Sequence, residues 1–270
     1  IHGEEIGNIL YQKKQKNILK NWSHKIVYLI LKRADSLICN SENTKNLICK
    51  LDPKFSQKAH VIYPRISTQE IQLEPGYTPE SHTLKSLISK KFILSSGRLK
   101  ASYKGFDALI KALDKVPESL GMLLVIAGPG DPTELKRLAR DHDEKRVIFT
   151  GLIDSKELLW LYKNCQFFAL PGREINGMFE GFGIVFLEAA DQGKVFLCGQ
   201  CGGAKEIIEG SSFAKSVDGE SIEEITKALT ALWADTELAE KGRALKIHCE
   251  ERFGEAAQRV SIASFLKQIL

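Results

Sequence analysis

Short apolar runs rich in β-branched and aromatic residues alternate along this chain with longer stretches in which apolar positions recur every three or four residues. That alternation predicts parallel β-α-β construction. Seven runs read as strands: 36–40, 60–63, 92–96, 123–127, 146–149, 166–170 and 195–199. Helical periodicity fills most of the intervals, as at 105–116 and 156–164. Several strands end at Gly or Ser, as strands that feed a ligand-binding edge do in open α/β sheets.

The stretch 65–91 breaks the pattern, with Pro75, Gly76, Pro79 and few apolar residues, and reads as a linker. After it, 92–249 offers five strands with their helices. Before it stand only two strands and two helices, too little sheet for an independent doubly wound domain. The predicted division is therefore a remnant of an N-terminal domain (1–70), a complete Rossmann-like domain (71–250) and a C-terminal helix (251–270). The first domain is expected to lack its beginning. Its opening helix, 7–33, is basic, carrying Lys13, Lys14, Lys16, Lys20, Lys25, Lys32 and Arg33 beside Trp22, Ile26, Val27 and Ile30. Such a helix suits an anionic membrane surface, but the strand and helix that follow at once favour packing of its apolar face on the sheet, with the lysines in water.

Composition narrows the class. The 270 residues are 43% hydrophobic and 27% charged, which excludes disordered, collagenous and disulfide-scaffold chains. The apolar run 26–31 is too short to span a bilayer, for which roughly 20 residues are needed. Glu4 and Glu5 stand where a signal peptide would need its basic and apolar regions, so the expected location is the cytoplasm, with the inner membrane face as a variant. The net charge of +4 is mild and dispersed, and no nucleic-acid partner is expected. The six cysteines, several inside apolar runs, read as small buried hydrophobes of a reducing compartment. Cys198 and Cys201 have C-x-x-C spacing but no second pair or histidines to complete a metal site.

The densest chemistry is Glu180-Gly-Phe-Gly-Ile-Val-Phe-Leu-Glu188. Two glycines in a loop let backbone amides approach a ligand, and a helix opening near Gly183 offers free N–H groups and a positive dipole end to phosphate. Glu180 and Glu188, eight residues apart, are separated by roughly 12 Å if the segment is helical. That length suits one group at a sugar and one at a ribose with diphosphate between. An unpartnered Glu188 on this apolar helix is costly, which argues against a merely solvated charge. A second cluster, Ser96-Gly97-Arg98-Leu99 with Lys104-Gly105-Phe106, sets two cations at the end of a strand beside another helix start.

Together these clusters resemble retaining glycosyltransferases of the GT-B fold, specifically glycosyltransferase family 4, and the resemblance covers nearly the whole chain. Glu180 to Glu188 looks like the family's E-x7-E motif, Gly97-Arg98 with Lys104-Gly105 like its diphosphate clamp, and Ala127-Gly128-Pro129-Gly130 like its loop after the second strand of the donor domain. Thr150-Gly151-Leu152 stands where members line the nucleobase, and Gly202-Gly203-Ala204-Lys205-Glu206 resembles the G-G-x-x-E turn. His2-Gly3-Glu4-Glu5 is similar to the H-G-x-E loop of the first domain, Cys39-Asn40-Ser41-Glu42 to its helix cap, and Val61-Ile62-Tyr63-Pro64 to the strand that ends that domain. The insert 172–179 is most like mannosyltransferases acting on lipid-linked acceptors. Val195 replaces a usual proline, and Arg65 a usual Asn-Gly.

The resemblance implies an acceptor-side first domain and a donor-binding second. It implies that Arg98 and Lys104 hold the donor diphosphate, Glu188 the ribose, Glu180 the sugar, and the amides of Phe182, Gly183 and Ile184 sugar and phosphate. Gly97 and Gly128 would line the phosphates, Leu152 the base, and His2 would sit over the sugar. The implied reaction transfers a mannose- or glucose-type hexose from a GDP- or UDP-sugar to a glycan or lipid-linked acceptor with retention, by positioning and charge stabilisation. No cofactor and no metal are expected. The D-x-D spacing at Asp141–Asp143 falls in a charged turn and reads as solvated. Two alternatives stand beside this reading: a donor-binding but inactive truncated relative, and a GT-B-fold sugar-nucleotide epimerase.

Overall fold

The computed structural model describes residues 6–7, 10–11, 22–65, 71–141 and 144–269. The first unit holds helix α1 (Trp22–Arg33), strand β1 (Leu37–Cys39), helix α2 (Glu42–Leu51) and strand β2 (Ala59–Val61), the two strands pairing in parallel. Its own hydrophobic cluster gathers Ile6, Leu31, Leu37, Cys39, Ile48, Phe55 and Ala59. Ser41 is the N-cap of α2, accepting from the Thr44 amide, as its sequence position predicts.

The α1 face differs from expectation. Val27, Tyr28 and Leu31 turn to the cluster, whereas Ile26 and Ile30 are 54% and 62% exposed beside Lys25, Lys32 and Arg33. A sheet of two strands is too narrow to cover the wider apolar stripe. The rest of the predicted helix 7–33, and His2 with it, lies largely outside the described residues.

The stretch 65–91 is more than a linker. Its second half forms a short helix, α3 (His82–Lys85), which drives Leu84 and Leu87 into the core of the second unit. That unit is a six-stranded parallel sheet ordered β5-β4-β3-β6-β7-β8. Its strands are β3 (Ile93–Ser96), β4 (Leu124–Ala127), β5 (Val147–Gly151), β6 (Phe167–Leu170), β7 (Phe196–Gly199) and β8 (Lys215–Val217). β3, β4, β6 and β7 are buried at every residue, because helices cover both faces of a parallel sheet and its inner strands read as continuous apolar runs. β8 escapes the sequence pattern: two of its three residues are exposed, and it leaves no apolar run.

Helices α4 (Phe106–Asp114), α5 (Thr133–Asp141), α6 (Ser155–Asn164), α7 (Ile184–Asp191) and α8 (Ala204–Ile208) connect the strands. Helices α9 (Ile222–Ala234) and α10 (Leu238–Phe253) pack on α4 and α7 respectively. The last helix, α11 (Glu255–Ile269), returns to the first unit, where Phe265 meets His60 ring to ring at 5.0 Å and Gln258 donates to the Tyr63 carbonyl.

Candidate functional site

The strand order reverses direction between β3 and β6, which are neighbours although three helices separate them in sequence. Crossovers leave this point in opposite directions, and a crevice opens at the carboxyl ends of the two strands. The loops after β3 and β6, where both sequence clusters lie, therefore meet across it.

Glycine makes that meeting feasible. Gly97 has φ +146°, and a β-carbon there would lie 2.8 Å from Lys104 Cδ; a β-carbon on Gly128 (φ +144°) would lie 2.1 Å from the Gly97 carbonyl oxygen. The loops after β3 and β4 thus touch backbone to backbone, and the Lys104 stem runs over Gly97. With its side chain only 8% exposed, Lys104 donates through Nζ to Oε2 of Glu180 at 2.6 Å. Arg98 beside it is exposed, its guanidinium reaching the Tyr103 hydroxyl at 3.5 Å. Leu152, on the loop after β5, is an apolar side chain 78% exposed to solvent.

Helix α7 starts at Gly183, whose φ of +91° brings the chain in from the glycine loop with no side-chain cap. The first amides of the helix are left to other acceptors. Ile184, its first residue, is exposed, whereas the Phe182 ring is buried between Tyr63 and Phe253 and fixes the loop. About one turn on, Oε2 of Glu188 accepts from the Tyr162 hydroxyl at 2.8 Å, which lies 3.0 Å from the Ser96 hydroxyl. Burial raises the Glu188 carboxyl above the usual carboxylate range, and the Tyr162 bond pulls the other way. Burial, with the neighbouring carboxylate, pushes the Tyr162 phenol well up.

Contacts from elsewhere hold the loop of Glu180. The Gly203 amide donates to the Glu180 carbonyl at 3.1 Å, and Gly202 passes so close that a β-carbon would lie 2.1 Å from the same oxygen. The Ser41 hydroxyl donates to the Gly181 carbonyl at 3.0 Å. Glu206 accepts from the amides of Glu42 and Asn43 at 2.8 and 2.7 Å and from the Tyr63 hydroxyl at 3.0 Å, capping α2 from the other unit. Arg173 spans both carboxylate oxygens of Asp107 at 2.8 Å and fixes the insert on α4. Gly7 and Tyr11 lie against Gly177 of that insert.

Of the residues singled out from sequence, Gly97, Arg98, Lys104, Gly128, Leu152, Glu180, Phe182, Gly183, Ile184 and Glu188 stand on the loops and the helix start at one end of the sheet. His2, His142 and Asp143 lie outside the described residues. Tyr162, its bond to the Ser96 hydroxyl, the bond of Ser41 to Gly181 and the contacts of Glu206 and Arg173 escaped sequence reasoning. The lone hydroxyl on an apolar helix face at Tyr162 is the signal that could have found its buried partner. A cavity of about 920 Å³ lined by Lys90, Lys91, Lys145, Arg146 and Trp233 opens at the opposite, amino end of the strands.

Residues 82–244 match the family described as glycosyl transferases group 1. An uncharacterized glycosyltransferase of Methanocaldococcus jannaschii is 31% identical over 77% of this chain and 53% of its own length. The GDP-mannose-dependent alpha-(1-6)-phosphatidylinositol monomannoside mannosyltransferase of Mycobacterium tuberculosis is 33% identical over 65% of this chain and 47% of its own. The chain thus spans about half the length of these curated relatives. In fold it resembles HepE of Anabaena, solved with UDP and glucose, at a TM-score of 0.76 and 21% identity over 90% of this chain and 66% of that one. Sucrose-phosphate synthase from Thermosynechococcus elongatus matches at 0.76 and 18% identity over 98% and 66%. Among the described residues no helix is long and apolar enough to cross a membrane.

Proposed function

The chain belongs to the group 1 glycosyl transferases, and on that premise we propose that it binds a nucleotide-diphosphate sugar along α7 and passes the hexose to a glycan or lipid-linked acceptor with retention of configuration. The observation that carries this reading is the convergence at the switch point of one buried cation, Lys104, one exposed cation, Arg98, and an uncapped helix start, between carboxylates at Glu180 and Glu188. A diphosphate lies on the cations and the amides of Gly183 and Ile184. The ribose meets Glu188, the base covers Leu152, and the sugar meets Glu180. Acceptor hydroxyl and departing diphosphate share one face of the sugar. Positioning and preorganised positive charge then lower the barrier as the leaving group gains charge.

In the structure Glu180 occupies Lys104. Donor phosphate takes over part of that cation, which frees the Glu180 carboxylate to accept from sugar hydroxyls. GDP-mannose is the first donor to test, since relatives about one-third identical are named for it; the UDP bound to HepE makes UDP-glucose the second. Calorimetry of the chain against both sugar nucleotides, GDP and UDP tests the reading. Saturable binding of one pair, lost in Arg98→Ala, is expected. Absence of binding for all four overturns it.

A further inference from the structure

Ser96 closes β3, Tyr162 lies on α6 and Glu188 on α7, and all three side chains meet in the floor of the crevice. The Tyr162 ring is buried, 1% exposed, and stacks obliquely on Phe168 at 5.7 Å, so its hydroxyl has one available position. A phenol has a single proton, and an ionised carboxylate only accepts. With Glu188 ionised, the proton of Tyr162 must point at Glu188, and the Ser96 hydroxyl must then donate to the Tyr162 oxygen. The chain of bonds has a fixed direction, running from the strand that leads into Gly97 and Arg98 to the carboxylate on α7.

We propose that Tyr162, anchored by Ser96, is the positioning residue for the nucleoside half of the donor site: it holds one oxygen of Glu188 so that the other serves as acceptor for a ribose hydroxyl. The inference rests on the reading that Glu188 meets the ribose. It assigns a task to a buried polar group that the apolar packing of α6 does not need, since phenylalanine would fill the same volume. Other ionisable groups near the pair are held away or committed. Cys165, beside Tyr162, is pushed up to about 12 by burial, as is Cys198 on β7. From α10, Lys246 faces Asp191, and from α8, Glu206 is bonded to α2.

The test uses the 270-residue chain with GDP-mannose and UDP-glucose, whose bridging diphosphate has no proton to take up above about pH 4, and inorganic pyrophosphate as a probe without ribose. Tyr162→Phe is expected to weaken the tighter sugar nucleotide roughly tenfold, the effect of a hydrogen bond to a charged group, while pyrophosphate affinity stays within twofold. Because the Tyr162 bond favours the ionised carboxyl, its loss moves the acid limb of sugar-nucleotide binding to higher pH. The ¹³C carboxyl signal of Glu188, assigned by its absence in Glu188→Gln, is expected to titrate at higher pH by the same interval, a readout that needs no ligand. Ser96→Ala is expected to give a smaller change in the same direction. Equal losses for sugar nucleotide and pyrophosphate, or an unmoved Glu188 titration, overturn the inference. If instead Glu188→Ala leaves sugar-nucleotide affinity intact, or wild-type chain binds neither donor, the ribose reading itself fails and takes this one with it.

Discussion

Lys104 and Glu180 form the most buried ion pair at the site, at 2.6 Å with side chains 8% and 18% exposed, and each is costly to leave alone. That pairing changes what single substitutions do. Glu180→Ala releases Lys104 to a phosphate, so nucleoside-diphosphate affinity is expected to rise by a few-fold, while sugar-nucleotide affinity and turnover fall because the sugar loses its acceptor. Glu188→Ala is expected to weaken both ligands alike, by about 1.5–3 kcal/mol for a bond to a charged group. Arg98→Ala also weakens both, but leaves a nucleoside without phosphates unaffected. Titration of the three variants against nucleoside, nucleoside diphosphate and sugar nucleotide checks the set; matching profiles for the two glutamate variants would rule out a donor laid end to end along α7. The Glu188 carboxyl, raised by burial, also sets a sign. Its ionised form is the one that accepts from ribose, so donor affinity falls on acidification at a higher pH than a solvent-exposed glutamate would dictate, and Glu188→Gln removes that limb.

At the scale of elements, the helix α2 is capped twice. Ser41 satisfies the Thr44 amide, and Glu206 of α8 satisfies the amides of Glu42 and Asn43. The first cap is a local acceptor; the second arrives from 164 positions away. Replacing Glu206 by Ala strips a negative charge from the positive end of α2 and leaves two amides and the Tyr63 hydroxyl to find water. A loss of about 1.5–3 kcal/mol is expected, read as a lower melting temperature and as faster proteolysis between the units. Gly128→Ala tests the loop contact. Its β-carbon would meet the Gly97 carbonyl in a backbone conformation that alanine disfavours, so destabilisation of about 1–3 kcal/mol is expected, together with weaker diphosphate binding. A fully stable variant with wild-type affinity would contradict the backbone contact of the two loops.

Across the whole molecule, burial decides the chemistry of the cysteines. Cys39, Cys165, Cys198 and Cys249 are buried, and burial pushes their thiols to about 11, 12, 12 and 12. Cys201, partly exposed, is pushed to about 11 by the same cause. Since the thiolate is the reactive form, the folded chain at pH 7.5 is expected to react rapidly with DTNB only at Cys49, and at all six after denaturation. Rapid release at three or more sites in the native state would contradict this packing. On the proposed reading, Arg98 and Lys104 supply the positive charge that a divalent cation would otherwise bring to the diphosphate. EDTA is therefore expected to leave nucleoside-diphosphate affinity unchanged; abolition by EDTA and rescue by Mn²⁺ would overturn the cation assignment.

Apolar periodicity alone determined seven of the eight described strands to within two residues at each end, because an inner strand of a parallel sheet must be apolar on both faces. The glycine loop, the start of α7 at Gly183 and the Ser41 cap were equally legible, since each depends on residues within one turn. β8 was not, because an edge strand of three residues with two exposed leaves no pattern. Neither was the docking of Leu84 and Leu87, which depends on where the sheet lies. The partners of the candidate site were decided only by tertiary structure. Lys104 meets Glu180 from 76 positions away, and Tyr162 meets Ser96 from 66 and Glu188 from 26. Those separations close because the strand order reverses at β3 and β6, and a reversal of order is a property of the assembled sheet that no local run of residues encodes.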